Sequence, residues 1–178
     1  AGQCLFGFVC TTSGIGLLCR TWALDNVGSR LYASPHNGAI YTWDETAPRA
    51  VVLANAPTQS SAFFIGQFGH PVSLGADGVP ARVRNADSDD KTIWLPNLDN
   101  EAGVDTIKSV NRLVGGLRLR DGADPIFSDN AMFLMRYQPT SDLVFRFDAH
   151  GTGIGLVGPN AAIESKGACY WMGQTDLF

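Results

Sequence analysis

Apolar residues along the chain come in short runs, and Gly, Pro, Asn or Asp separates each run from the next. No long segment repeats its apolar positions at the period of an amphipathic helix, so strands are the expected elements. The clearest runs are Ala39–Trp43, Ala50–Leu53, Ala62–Ile65, Pro71–Leu74, Arg112–Leu119, Ala131–Tyr137, Leu143–Phe147, Gly155–Val157 and Ala168–Met172. Turn signals stand between them at Pro35-His36-Asn37-Gly38, Ala76-Asp77-Gly78, Asp121-Gly122 and Lys166-Gly167. Asp-Gly pairs suit tight hairpins because Gly tolerates positive φ. Only Ala102–Val110 and Thr58–Ala62 have room for a helical turn. Neither could cover a sheet, so an α/β layer is not expected.

The strands fall into a loose repeat of about forty to fifty residues, the length of a four-stranded propeller blade. One unit runs from Ser61–Ile65 through Pro71–Leu74 and an Asp-Gly turn to Ala81–Arg84. The next runs from Arg112–Leu119 through an Asp-Gly turn and Pro125–Ser128 to Ala131–Tyr137. A third runs from Gly155–Val157 through Ala161–Ile163 and Lys166-Gly167 to Ala168–Met172. The expected fold is therefore all-β: a propeller-like array of short antiparallel blades, with a β-sandwich as the competing architecture. Three or four units are too few for a usual closed propeller, so closure requires further chain or neighbouring subunits. Residues 21–178 form the propeller-like domain, and residues 1–20 are an N-terminal segment of unassigned role.

Composition refines this picture. A hydrophobic fraction of 45% and a mean hydropathy of +0.01 suit a globular protein, and no apolar run is long enough to span a bilayer. Charged residues make up only 17% of the chain, against a usual quarter or so, as in proteins that bury surface against neighbours. A net charge of −4 and dispersed basic residues argue against direct electrostatic grip on nucleic acid. Cys4, Cys10, Cys19 and Cys169 show no C-x-x-C spacing, and His36, His70 and His150 stand far apart, so no metal is expected. With no export signal in view, the cysteines are read as reduced, in a protein assembled in the cytosol.

Candidate chemistry is sparse. Gly153-Ile154-Gly155-Leu156-Val157-Gly158 matches G-x-G-x-x-G, but Pro159-Asn160 and further strand-like runs follow, where a dinucleotide site needs a helix. The glycines are better read as positions of close packing and sharp turning. Ser88–Trp94 resembles the Asp-box turn of sialidase-type propellers without its Gly or its spacing, and such boxes are structural hairpin caps. The acidic residues Asp87, Asp89, Asp90, Asp99, Glu101 and Asp105 cluster in one loop-like region, not as a carboxylate pair across a cleft. Asp148-Ala149-His150 places two polar residues on one face of a strand. The aromatics at strand ends are expected to fill cores. No catalytic residue and no cofactor are assigned.

Several segments are more specific than their physics. Thr21–Gly28, Leu31–Pro35, Gly38–Asp44, Arg82–Asp87, Met135–Tyr137, Gly153–Ala162 and Tyr170–Gly173 are similar to segments of the packaged-DNA stabilisation, or head-closure, proteins of tailed bacteriophages. The resemblance covers roughly Trp22 to the end, and Cys4–Cys19 departs from it. It implies a propeller-like fold, a virion location at neck or tail, and no catalysis. The implied partners are other neck or tail proteins, copies of the chain in a symmetric ring, and packaged DNA indirectly; no membrane is implied. The working surface is expected on loops, at Pro35, His36 and Asn37, at Asp89, Asp90 and Trp94, and at Asp99 and Asn100. The alternative is a tail-tip or spike module that grips a host glycan through exposed aromatics such as Trp43 and Trp94.

Overall fold

The computed structural model describes residues 21–120, 122–139 and 144–178, so Cys4, Cys10, Cys19 and the N-terminal segment lie outside the described residues. Its strands form four small antiparallel sheets in chain order. Sheet I holds β1 (Trp22–Val27), β2 (Arg30–Pro35), β3 (Tyr41–Trp43) and β4 (Val51–Val52). Sheet II holds β5 (Ala62–Ile65), β6 (Pro71–Leu74), β7 (Arg82–Asn85) and β8 (Gly103–Thr106). Sheet III holds β9 (Leu113–Gly116), β10 (Asp124–Ser128), β11 (Ala131–Tyr137) and β12 (Phe145–Thr152). Sheet IV is the hairpin β13 (Ala162–Ser165) and β14 (Ala168–Trp171). In every sheet each strand pairs with the next in sequence, the cheapest topology for loop closure. The protein is all-β; among the described residues the only helical element is one 3-10 turn, Ala76–Gly78. None of them forms a helix long and apolar enough to cross a membrane.

Three cores lie between successive sheets. Sheets I and II enclose Tyr32, Ile40, Leu53, Phe63, Ile65 and Trp94. Sheets II and III enclose Phe64, Leu74, Val83, Ile126, Phe133 and Phe145. Sheets III and IV enclose Val114, Phe127, Met132 and Leu156, with Trp171 and Cys169 against them. Alternation along β5 explains its unbroken apolar run: Phe63 and Ile65 point to sheet I while Phe64 points to sheet III. Strand β10 does the same with Ile126 and Phe127.

Local chemistry sets the turns. Lys166 (φ 53°) and Gly167 (φ 81°) form a two-residue loop with both φ positive, as a type I′ hairpin requires. Asp77-Gly78 sits inside the 3-10 turn, so β6 and β7 join by a longer connection than a tight Asp-Gly hairpin. Gly122 is left-handed, and Asp121 lies outside the described residues.

Three sequence expectations need correction. Ala102–Val110 holds strand β8 instead of a helix. The open edge of β7 pairs with it, and Gly103 leaves room for the Asn85 side chain, whose Oδ1 lies 2.4 Å from where a Cβ would stand. Thr58–Ala62 is extended too: Ser60 bridges Gly38, and Ala62 opens β5. Gly155–Val157 is an irregular bend that buries the single anchor Leu156. Tight packing drives that bend, because a Cβ on Gly155 would stand 2.3 Å from the Asp129 carbonyl carbon.

Candidate functional site

The first of the expected interaction loops ties sheets I and II together. Beyond β2, the His36 amide donates to the Thr21 carbonyl (2.9 Å), and the Asn37 amide donates to the Ser60 carbonyl (2.7 Å). The His36 Nδ1–H donates to the Ser61 carbonyl at 2.6 Å, which fixes the ring's tautomer. Asn37 accepts the left-handed backbone that the turn needs (φ 57°). His36 and Asn37 are exposed, whereas Pro35 is buried and offers no contact surface.

The connection between β7 and β8 is long but internally tied. Asp87 accepts the amides of Asp89 (2.8 Å), Asp90 (3.0 Å) and Glu101 (2.9 Å). Burial alone would raise its carboxyl, but those three donors outweigh burial and hold it below the usual carboxylate range. Asp90 accepts both the amide (2.9 Å) and the hydroxyl (2.7 Å) of Thr92. Trp94, expected at the surface, is only 1% exposed and fills the core between sheets I and II. Its Nε1–H donates to the Lys91 carbonyl (2.9 Å), and Arg84 donates to its own carbonyl (2.7 Å). An indole with a polar tip pays little to be buried once that tip is bonded, so Trp94 anchors the loop and is not a platform. Asp89, Asp90 and Asp99 remain exposed, Asn100 is half-buried, and its Oδ1 accepts the Ala102 amide (3.1 Å). The exposed crest is Leu95–Asp99.

Under this loop lies a polar cluster that sequence reasoning missed. His70, fully buried ahead of β6, donates through Nε2 to Glu101 Oε2 at 2.8 Å. Ser88 donates to the same oxygen at 2.6 Å, and the Tyr137 hydroxyl donates to Oε1. Burial opposes ionisation of Glu101, yet the donors from Ser88, Tyr137 and His70 hold its carboxyl low. Burial also pushes the His70 ring down against the pull of Glu101, so the imidazole is neutral at pH 7. Tyr137 rises to about 12, chiefly through its bond to Glu101. A nucleophilic triad needs the imidazole between hydroxyl and carboxylate. Here the carboxylate stands between Ser88 and His70, an arrangement that ties a loop down. Its members come from separate stretches of the chain, with Glu101 31 residues from His70 and 36 from Tyr137, and no local spacing signals them.

A concave feature lies where residues of all four sheets meet. Strand β1 packs against β5, and β5 against β9. A cleft of about 410 Å³ is lined by Trp22–Asp25 of β1, Ser61–Phe64 at β5, Gly116–Arg118 after β9 and Ala162–Glu164 of β13. A second hollow of about 510 Å³ shares Thr21, His36, Ser61 and Pro159 with it and is lined by the start of β9. Residues of β1, β5, β9 and β13, the first strands of the four sheets, thus line one cleft. At the far end Asp25 accepts the Ile65 amide (2.8 Å) and faces Arg118 at 3.9 Å. Asp124, buried beside them, accepts the amides of Gln67 (2.9 Å) and Leu119 (3.1 Å), and burial pushes it up to about 6. Successive sheets are thus clipped together by aspartates at one end of the cleft.

The remaining sequence candidates are structural. After Gly153 the G-x-G-x-x-G loop leads into β13, with no helix to meet a pyrophosphate. Asp148 pairs with Arg146 (2.7 Å) and Arg136 (3.3 Å). The register of β11 and β12 slips at His150, a bulge that spoils the simple pleat expected for Asp148 and His150. Cys169 is half-buried, and burial pushes its thiol up to about 11. No protein-family model matches the chain, and no curated protein matches its sequence.

Proposed function

We propose that this chain is a non-catalytic structural component of a tailed-bacteriophage particle, a propeller-like element of the neck or tail. In this reading it helps join head to tail and retain packaged DNA, in contact with other neck or tail proteins and with copies of itself in a ring. The observation that supports the propeller part is that residues from the first strand of each of the four small sheets line one shared cleft. Radial packing of small sheets around an axis would bring their first strands together in this way. The virion part rests on the resemblance of the segments from Thr21 to Gly173. Several of these hold the architecture: Asn85 and Asp87 fasten the β7–β8 connection, and Gly155 packs against the β10–β11 turn. Contact with neighbours falls to the exposed crest Leu95–Asp99 and to His36 and Asn37.

Cryo-electron microscopy of the particle that carries this protein tests the reading. A ring at the head-to-tail junction with this chain traced into it is expected. A position at the distal tip with Trp43 facing outward would instead favour glycan binding, for which buried Trp94 offers no platform. Absence from any particle would overturn both.

A further inference from the structure

The two ends of the β7–β8 connection, residues 86–102, meet at one carboxylate. Ser88, near its start, donates to Glu101 Oε2 at 2.6 Å, and Glu101 itself stands at its end. The body of the protein supplies two more donors, His70 ahead of β6 (2.8 Å) and Tyr137 of β11. Asn85 adds a bond from its side-chain nitrogen to the Glu101 carbonyl at 2.6 Å. Beside them Asp87 gathers the amides of Asp89, Asp90 and Glu101. The exposed crest Leu95–Asp99 is the middle of this connection, so its footing is the Glu101 cluster on one side and Trp94 on the other.

His70 is the member whose protonation the closed cluster does not accommodate. The ring is fully buried, with the Tyr137 and Phe145 ring centroids 5.3 Å and 5.0 Å from its own. Its Nε2–H is used on Glu101, and a second proton would sit on Nδ1, which is buried without a partner among the described residues. A charged imidazole there would leave a donor unbonded away from water. Of the groups around the ring, Glu101 and Asp87 draw a proton toward it and Lys91 repels one. Tyr137 of β11 stays neutral, and β12 presents the uncharged Phe145. Burial outweighs the two carboxylates. Once the connection swings away, Nδ1 meets water and the ring takes up its proton near the ordinary 6.5. We infer that proton uptake by His70 unfastens the β7–β8 connection, so that mild acid releases the crest Leu95–Asp99 from its fixed pose. Below pH 6.5 the open form binds one proton more than the closed form, so opening grows as pH falls, by up to about tenfold per pH unit, until the closed ring itself ionises. Above that pH both forms are neutral and the connection stays shut. Glu101 and Asp87 gain protons on opening only near their ordinary 4.5 and 3.8, below this range. The inference rests on the function proposed above only in taking the crest as a contact, and it adds the regulation of that contact.

Amide hydrogen exchange of the full chain between pH 6.5 and pH 5, read by NMR at Asp89, Asp90 and Glu101, tests it. Intrinsic exchange slows about tenfold per pH unit, and dividing it out leaves the opening equilibrium. That equilibrium is expected to rise by at least about threefold across the range. His70→Gln keeps an amide donor for Glu101 but cannot take up the proton, so its opening should not change with pH. Tyr137→Phe removes a different donor, so it should raise opening at every pH and keep the slope; it carries the test should His70→Gln not fold. A flat opening equilibrium in the wild type overturns the inference, as does a slope that survives His70→Gln or one that disappears with Tyr137→Phe. Exchange no faster than at Phe133 and Met135 in the β11 ladder overturns it too, because the connection would then open only with the whole fold. Exchange uses the isolated chain, so acid opening in a protein that is absent from every particle sinks the virion reading alone.

Discussion

Replacing Asp124 with Asn isolates the cost of a buried charge at the aspartate clip between sheets II and III. Burial moves this carboxyl from its ordinary 3.8 to about 6, against the help of two backbone donors. That displacement corresponds to about 3 kcal/mol between the two protonation states. The raised group is protonated in both folded and unfolded chains below about pH 3.8, and there it costs nothing. As pH rises toward 6 the unfolded chain ionises first, so Asp124 progressively destabilises the fold until about pH 7, where the full cost is present. Asn cannot ionise. It keeps one acceptor but sets its amide nitrogen against a backbone N–H, a pH-independent loss of about 1–2 kcal/mol. Urea unfolding followed by tryptophan fluorescence between pH 4 and pH 7.5 gives the stability difference between the two proteins. The wild type is expected to be the more stable at pH 4, and the difference to shift by about 3 kcal/mol in favour of Asn by pH 7. Groups held low, such as Asp87 and Glu101, cancel in the difference because both proteins carry them. A difference that stays flat across the range would show that Asp124 ionises as freely folded as unfolded, and the reasoning about its burial would fall.

Trp94→Ala should cost about 3–5 kcal/mol in urea unfolding, the range for emptying a core site; a loss under about 1 kcal/mol would mean the indole is a surface group after all. Gly155→Ala should destabilise by a few kcal/mol, since backbone atoms of Asp129 and Asn130 block a Cβ within 2.4 Å. Gly158→Ala is the matched control, with nothing within 4 Å, and should change the thermal midpoint little. The His70 ring should remain neutral in nitrogen-15 NMR as pH falls below its ordinary 6.5, because its folded-state pKa is depressed by burial. Its contribution to stability is present above about pH 6.5 and is lost as pH falls toward the folded value. Normal titration of the ring near 6.5 would contradict the buried cluster.

Legibility in the sequence followed burial. Strands β5, β6 and β11 coincide with the apolar runs Ala62–Ile65, Pro71–Leu74 and Ala131–Tyr137, because sheets II and III are covered on both faces and nearly every position there is apolar. Strands β1 and β2 were harder to see, since Asp25, Asn26 and Ser34 interrupt the pattern of a sheet covered on one side. The β8 segment looked helical because its strand character comes from pairing with β7, not from its own residues. Trp94 is hidden for a related reason: it stands in an acidic, turn-rich loop, and its core partners come from strands far away in sequence. The His70–Glu101–Tyr137 cluster joins three separate stretches of chain, so only the folded structure brings it together.

The low charge content has a structural location. A terminal sheet exposed to water ordinarily alternates apolar residues toward the core with polar ones outward. Sheets I and IV do not: where alternation calls for Lys, Glu or Thr, they carry Leu24, Tyr41 and Val52 on one and Ile163, Tyr170 and Met172 on the other. The charged side chains concentrate elsewhere, on the β7–β8 connection and on Arg136, Arg146 and Asp148 along the outer strands of sheet III. Those two faces stay uncharged on their paired strands while the loops and outer strands carry the charge. Part of the low charge content, 17% of the chain, therefore has a place in the fold: the outward faces of sheets I and IV.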